Sequence, residues 1–204
     1  MRRLQVYQTT TSTRRNLFAM QALGWRVLFT AMEPRHWRPG QRFALDSGAW
    51  SCFTRRVDFD FYQYERAVEA LGSSADFVVA PDVVGGGALS LSLSLSWLPW
   101  LRSRCRRVLL AAQDGMFPSD LAPHVGRNVG IAIGGSTAWK ETQLRACSWV
   151  ELCQERSAWL HVFRVNTRRR IRLCRGATSM DGTSGSRFAS SIPLIHRWVD
   201  EVQE

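Results

Sequence analysis

Five short apolar runs end abruptly in polar or glycine-containing turns, and this recurring pattern constrains the fold more than any other feature. Continuous apolar runs of this length are typical of buried strands in a parallel sheet. The runs and the turns that follow them are 43–45 with Asp46-Ser47-Gly48, 77–80 with Pro81-Asp82, 108–112 with Gln113-Asp114-Gly115, 129–133 with Gly134-Gly135, and 177–180 with Asp181-Gly182. Because α/β folds bind ligands at the carboxyl ends of their strands, the five ends predict one shared pocket.

Three further segments have the composition of strands, which brings the predicted total to eight. They span 4–7, 26–30 and 159–163. Helix-length segments lie between or after the strands, at 16–23, 60–71, 139–153, 167–174 and 193–202. Strands that alternate with helices imply βαβ units and parallel pairing. Eight strands in 204 residues predict one α/β domain, 1–204, with a compact TIM-like (β/α)8 barrel fold.

Local signals predict where several helices begin and end. Asn16 is expected to cap the first helix, and Asp60 to cap a second that ends at Gly72. The last helix is expected to bury one stripe formed by Leu194, Trp198 and Val202. The proline-containing connection 31–42 is predicted to lack a helix.

Residues 89–96 alternate leucine with serine, and this segment gives conflicting signals. A period of two favours a strand. Its position after the fourth predicted strand favours a helix, because a further strand would spoil the barrel count. We predict a helix.

The chain is strongly basic, with a formal net charge of +10, and Lys140 is its only lysine. Arginine forks bind phosphate bidentately, so this composition favours a polyanion as partner. The alternative is arginine-favouring codon usage combined with an ordinary solvated surface.

The five cysteines are odd in number and include no C-x-x-C pair, which argues against a disulfide framework or a zinc ribbon. We therefore expect reduced, mostly buried thiols and a cytoplasmic protein. No apolar run approaches the roughly 20 residues that a membrane-spanning helix needs. The four histidines show no ligand spacing, so neither a metal nor another cofactor is predicted.

The order of the strand ends resembles the tRNA-guanine transglycosylase superfamily, in particular the short phage and bacterial branch that inserts 7-deazaguanines into DNA. Asp46-Ser47-Gly48 is similar to that family's Asp-Ser-Gly-Gly motif, and Gln113-Asp114-Gly115 and 133–135 to its glutamine-glycine and isoleucine-glycine-glycine motifs. The segments 164–170 and 179–183 resemble the signature of the DNA-modifying branch. The resemblance spans about 7–187.

The resemblance implies a role for each matching position. Asp181 would be the nucleophile and Asp46 the general acid/base. The base would be bound by Asp82, Gln113, Gly134, Gly135, Ser47 and Gly48. The nucleic acid would be bound by Arg164, Asn166, Arg168, Arg169, Arg172 and Arg187. The chain departs from the tRNA enzymes in its shorter length and in lacking their cysteine-histidine zinc subdomain, and both departures argue against tRNA as substrate.

Base exchange requires two carboxylates that face one site. One traps the electron-poor sugar carbon, and the other gives a proton to the leaving base and takes one from the incoming base. Asp46 and Asp181 fit these roles, although aspartates in Asp-Ser-Gly and Asp-Gly turns also commonly cap loops. Glycines at 134–135 let backbone N–H groups approach a base, but they equally serve a tight turn.

Five aromatic residues are candidates for stacking on nucleic-acid bases: Trp50, Phe53, Trp97, Trp100 and Trp139.

The predicted function is a DNA guanine transglycosylase that exchanges guanine for a 7-deazaguanine such as 7-cyano-7-deazaguanine. Its DNA would be single-stranded, or double-stranded with the target base flipped out. Two alternatives remain open: a related enzyme that exchanges bases in RNA or only hydrolyses the glycosidic bond, and a non-catalytic nucleic-acid-binding barrel. Whether a partner protein or a second copy completes the DNA-binding surface is also open.

Overall fold

Eight parallel strands close into a barrel in the computed structural model, which describes residues 3–33 and 40–202. Each strand pairs with the next along the chain, and the last pairs with the first. The strands are β1 (Gln5–Thr9), β2 (Arg26–Thr30), β3 (Phe43–Asp46), β4 (Val78–Val79), β5 (Val108–Ala112), β6 (Val129–Ile133), β7 (Leu160–Val162) and β8 (Ser179–Gly182). The prediction of a compact (β/α)8 barrel is confirmed.

Helices fill the connections between the strands. They are α1 (Arg14–Ala22), α2 (Ala49–Arg55), α3 (Phe61–Leu71), α4 (Ala88–Arg102), α5 (Pro118–Leu121), α6 (Thr137–Arg145), α7 (Ser148–Glu155), α8 (Arg168–Leu173), α9 (Ser184–Arg187) and α10 (Ser191–Glu201). The predicted cap of α3 is confirmed, since the Asp60 side chain accepts a hydrogen bond from the Gln63 N–H at 2.9 Å.

Two apolar clusters stabilise the barrel on either side of its sheet. The larger one lies between the strands and the surrounding helices. The smaller one fills the barrel interior with alternate residues of the strands and with Phe77, which directly precedes β4; its members are Tyr7, Leu28, Ala44, Phe77, Val79, Leu109, Ala111 and Ala132. Because the interior is packed with side chains, any ligand must bind at the open end of the barrel.

The leucine-serine segment is helical and forms the first half of α4. Ser90 and Ser94, one turn apart, are fully buried on its inner face. The Ser94 hydroxyl donates to the Pro81 carbonyl at 2.8 Å, and the Ser90 hydroxyl accepts from the Val83 N–H at 3.1 Å. Ser90 and Ser94 therefore hold the turn that carries Asp82.

Three local predictions are wrong in whole or in part. Thr13, not Asn16, precedes α1, and Asn16 is buried, with its amide donating to carbonyls of the α9 segment. The segment 139–153 forms two helices rather than one, because Cys147 adopts a left-handed backbone (φ 58°) that breaks it.

The predicted stripe of the last helix is wrong in part: Val202 is buried and Trp198 packs partly buried against the core, but Leu194 is 42% exposed and α10 buries Ile192, Ile195 and Val199 instead. The prediction that 31–42 lacks a helix lies partly outside the described residues. All five cysteines are free, and Cys147 is the only one of them that is exposed.

Candidate active site

A cavity of about 520 Å³ opens at the carboxyl ends of the strands, within the usual size range for small-molecule pockets. Ten of the fourteen predicted site residues line it: Asp46, Ser47, Asp82, Gln113, Gly134, Gly135, Arg164, Asn166, Asp181 and Arg187. Gly48, next to Ser47 in sequence, is not among the lining residues. Arg168, Arg169 and Arg172 lie outside it, on α8. The five polar strand ends therefore meet in one pocket, as their order predicted.

Asp46 ends β3 and shares the pocket with two other carboxyl groups. Burial, followed by the nearby negative charges of Asp82 and Asp181, raises its pKa to about 7. The Gly48 N–H opposes this rise by donating to Oδ2 at 3.2 Å. Gly48 has φ 90°, and a Cβ here would lie 2.5 Å from the Met32 side chain. A carboxyl with this pKa can both give and take a proton near neutral pH.

Asp82, Ser47 and Gln113 form a connected polar floor. The Ser47 hydroxyl donates to Oδ1 of Asp82 at 2.8 Å, and the Gln113 amide donates to Oδ2 at 2.7 Å. Burial raises the pKa of Asp82, and these two hydrogen bonds oppose the rise. Each carboxylate oxygen keeps a free lone pair, so Asp82 can still accept hydrogens from a bound base.

The glycine N–H groups predicted to contact a base already have partners within the protein. Gly134 donates to the Ala112 carbonyl at 2.9 Å, and Gly135 donates to Oε1 of Gln113 at 3.1 Å. A base that used either group would have to displace that bond. Gly135 nonetheless requires glycine, because its φ is 67° and a Cβ would lie 2.6 Å from Oδ2 of Asp114.

Asp181 lies within β8 and is only 4% exposed. Its Oδ1 accepts a hydrogen bond from the Arg164 backbone N–H at 3.0 Å and lies 3.2 Å from Nε2 of His161. Among the described residues, no donor reaches Oδ2. One carboxylate oxygen is therefore fixed while the other is left for a ligand.

Arg164 connects this nucleophile candidate to the rim of the pocket. Its backbone is left-handed (φ 58°), which aims the N–H at Asp181. Its guanidinium lies 3.9 Å from the ring centroid of Trp50 and also donates to the Gly135 carbonyl. Burial lowers the pKa of Arg164, an effect that the Asp181 carboxylate opposes. Of the five candidate stacking aromatics, only Trp50 lines the pocket.

Asn166 and Arg187 lie at the junction of β8 and α9. Oδ1 of Asn166 accepts hydrogen bonds from the Thr183 and Ser184 N–H groups at 2.8 and 3.1 Å, so it positions the first turn of α9. Arg187, at the other end of that helix, is exposed at the pocket mouth. Direct contact of either residue with nucleic acid stays a prediction.

The arginines of α8 form ion pairs at the surface. Arg168 and Arg172 contact Glu201, and Arg169 contacts Glu141. Exposed pairs of this kind contribute little stability and can exchange partners. Their predicted role with nucleic acid therefore stays a prediction.

Two residues of the site were missed from sequence. His161 is a polar residue inside an otherwise apolar strand and faces the barrel interior next to Asp181. Lys140, the only lysine, is 2% exposed and donates from Nζ to the Phe163 carbonyl at 2.5 Å. Burial and the charge of Arg164 lower the pKa of Lys140 to about 8. The Lys140 contact holds the β7–α8 turn that carries Arg164, and His161 contacts Asp181 directly.

Within the described ranges, no group of three or more histidine, cysteine or acidic side chains is arranged to hold a metal ion. None of the helices in the part of the chain that the structure describes is long and apolar enough to cross a membrane.

Comparison with known proteins shows the fold alone. No protein-family model matches the chain, and no curated protein matches it. Among solved structures, the tryptophan synthase complex from Pyrococcus furiosus is similar, with 11% identity, a TM-score of 0.50, and 98% of this chain and 97% of that chain covered. The HpcH/HpaI aldolase from Desulfitobacterium hafniense DCB-2 has 10% identity and a TM-score of 0.50, with 99% of this chain and 93% of that chain covered.

Proposed function

We propose that the chain is an enzyme, a DNA guanine transglycosylase that exchanges guanine for a 7-deazaguanine derivative. The observation that carries the proposal is the convergence of Asp46, Asp82 and Asp181 in one pocket, where the pKa of Asp46 is raised to about 7. Two carboxyl groups with different roles in one site are what base exchange at a sugar carbon requires.

In the first step, an oxygen of Asp181 attacks C1′ of the sugar, and the C1′–N9 bond breaks. The bonding electron pair leaves with guanine, which takes a proton from Asp46. In the second step, Asp46 takes a proton from the incoming 7-deazaguanine, whose N9 attacks C1′. The C1′–O bond then breaks and its electron pair restores the Asp181 carboxylate.

The polar floor suits the Watson–Crick edge of guanine. Asp82 can accept the ring N–H and the amino hydrogen with its free lone pairs. One of the two N–H bonds of the Gln113 amide is engaged by Asp82, and the other can donate to the base carbonyl. A 7-deazaguanine presents the same edge, so both bases fit this arrangement.

Nucleic acid as substrate is supported by the net charge of +10 and by Arg164 and Arg187 at the pocket. A base within a duplex must leave the stack to reach a pocket at the end of a barrel. Arginine and Trp50 at the mouth can replace part of the stacking that the base loses.

The proposal is tested by incubating the protein with DNA and 7-cyano-7-deazaguanine, and then identifying the released nucleosides by mass spectrometry. We expect the deazaguanine nucleoside in DNA treated with the wild type and none with Asp181→Asn. Asp58→Asn serves as the control, because Asp58 is an exposed aspartate outside the pocket. Failure of the wild type to modify DNA would refute the proposal.

Parallel reactions separate the alternatives. Incorporation into RNA but not DNA would identify an RNA base-exchange enzyme. Guanine release without incorporation would identify a glycosidic-bond hydrolase. Salt-sensitive binding without release or incorporation would identify a non-catalytic nucleic-acid-binding barrel.

A further inference from the structure

A chain of polar side chains crosses the barrel interior and ends at Asp181. The Trp159 indole N–H donates to Oγ of Ser179 at 2.7 Å, and this Oγ lies 2.7 Å from Nδ1 of His161. On the other side of the imidazole, Nε2 lies 3.2 Å from Oδ1 of Asp181. Ser179 and His161 are both 0% exposed, so the chain is closed to solvent at its centre.

The donor at each step can be assigned from the partners. An indole nitrogen can only donate, so the Ser179 hydroxyl accepts from Trp159 and its own hydrogen is free to reach Nδ1 of His161. The ring hydrogen of His161 then lies on Nε2 and points at Oδ1 of Asp181. The Asp181 carboxylate can only accept, so its end of the chain requires the same assignment.

Aromatic rings fix the orientation of the imidazole. Tyr7, Phe77 and Phe163 surround it, with ring centroids 5.8, 5.0 and 5.0 Å away. The Tyr7 hydroxyl is turned away, toward Asp76 at 3.0 Å. His161 therefore presents one N–H to Asp181 in a single orientation.

We propose that His161 is a positioning residue that selects which oxygen of Asp181 acts as the nucleophile. His161 and the Arg164 backbone N–H both hold Oδ1, which leaves Oδ2 to attack C1′. The inference rests on the proposed function and names a role that the proposed function does not require.

The same contacts serve both steps of the exchange. As the Oδ2–C1′ bond forms and the C1′–N9 bond breaks, Oδ1 becomes the carbonyl oxygen of the ester and keeps its two donors. When the Oδ2–C1′ bond breaks, its electron pair returns to the carboxylate, and the two N–H groups stabilise the charge that reappears there. The imidazole itself gains and loses no proton.

Nuclear magnetic resonance tests the assignment without any assumption about activity. Long-range proton–nitrogen spectra of histidine-labelled protein distinguish the two imidazole tautomers. We expect the Nε2–H tautomer for His161 in the wild type and a shift of that nitrogen signal in Asp181→Asn. A hydrogen on Nδ1 instead would overturn the proposal.

Single-turnover kinetics test the role. Loss of a hydrogen bond to a charged group predicts that His161→Phe slows base exchange about 10- to 100-fold. Affinity for 7-cyano-7-deazaguanine, measured by equilibrium dialysis, should not change, because His161 does not line the pocket. His161→Gln should recover part of the rate, since its amide nitrogen is as many bonds from Cβ as Nε2 of the imidazole.

His196→Phe is the matched control, because it makes the same substitution on α10, where His196 lies 3.6 Å from Asp200 and outside the pocket. It should leave the exchange rate unchanged. Ser179→Ala, which keeps the imidazole, replaces His161→Phe if thermal unfolding shows that the latter does not fold. An unchanged rate in both His161→Phe and Ser179→Ala would refute the role of His161. Absence of exchange in the wild type would instead refute the proposed function. In that case the tautomer measured by nuclear magnetic resonance still decides whether His161 donates to Asp181.

Discussion

Among single residues, Asp46 has the proton affinity on which the proposed chemistry depends. Its pKa lies near 7 because burial and two neighbouring carboxylates, Asp82 and Asp181, all disfavour the charged form. The sequence places these three aspartates at strand ends and so predicts that they meet. It carries no signal for their mutual repulsion, which depends on distances that only the closed barrel creates.

The raised pKa of Asp46 predicts that the free energy of unfolding of the wild type falls with rising pH, and that Asp46→Asn removes this fall. In the unfolded chain this carboxyl ionises near 3.8, whereas in the folded protein it ionises near 7. The group thus contributes stability that is fully present below the unfolded value and is lost as pH rises through about 7. Urea unfolding should show Asp46→Asn gaining stability, relative to the wild type, above this range and not below it.

Activity should follow the same titration. Cleavage of the glycosidic bond needs protonated Asp46, so the single-turnover rate should decline above about pH 7. Asp46→Asn should be slow at every pH and show no such decline. In the urea unfolding experiment, an equal effect of Asp46→Asn on stability at acidic and alkaline pH would contradict the raised pKa of Asp46.

At the scale of elements, helices outside the barrel position the turns that carry the site. In α4, buried Ser90 and Ser94 hold the turn around Asp82. In α6, Lys140 holds the carbonyl that precedes Arg164. The pocket is therefore built by contacts between neighbouring elements as much as by the strand ends themselves.

Ser94→Ala should reduce stability and weaken base binding together. The substitution removes the donor to the buried Pro81 carbonyl, and an unsatisfied buried group costs about 1–3 kcal/mol. Urea unfolding measures the stability loss, and dialysis with 7-cyano-7-deazaguanine measures the loss of affinity that follows from a looser Asp82 turn.

Ser96→Ala is the control, because Ser96 is exposed on the same helix and bonds only to the Leu93 carbonyl of its own turn. It should change neither quantity measurably. Equal effects of the two substitutions would show that the inner face of α4 has no special role.

The same helix shows where sequence reasoning reaches its limit. Alternation of leucine and serine has the period of a strand, and only the position of the segment in the βαβ order favoured a helix. Ser90 and Ser94 face inward because they satisfy backbone groups of the β4–α4 turn, and the sequence period does not reveal these contacts. Likewise, the break between α6 and α7 depends on the left-handed backbone of Cys147. Such a backbone is usually signalled by glycine, and here the residue is a cysteine.

Across the whole molecule, the barrel brings five distant strand ends to one pocket, and this much follows from their order in the sequence. The exposed arginines are different, since their partners are set by the folded surface. Arg168, Arg169 and Arg172 pair with acids of α10 and α6 rather than lining the pocket. Charge composition predicted a polyanion partner but could not identify which surface residues would contact it.

DNA binding should weaken steeply with salt, and the slope locates the phosphate contacts. Each contact contributes about 0.9 to the slope of log affinity against log salt concentration. If α8 lies along the DNA, Arg169→Gln should lower the slope by that amount in fluorescence-anisotropy titrations.

Arg3→Gln is the matched control, because Arg3 is an exposed, ion-paired arginine just before β1, at the opposite end of the barrel. Its slope should equal that of the wild type. Equal slopes for all three proteins would remove α8 from the DNA-binding surface.

The covalent intermediate at Asp181 gives the sharpest test of the mechanism. The exchange reaction is quenched in denaturant before completion, and the protein is analysed by intact mass and by mass mapping of its peptides. We predict an adduct carrying the DNA strand on the peptide that contains Asp181, present in the wild type and absent from Asp181→Asn. An adduct that persists in Asp181→Asn, or that maps to another residue, would contradict the mechanism.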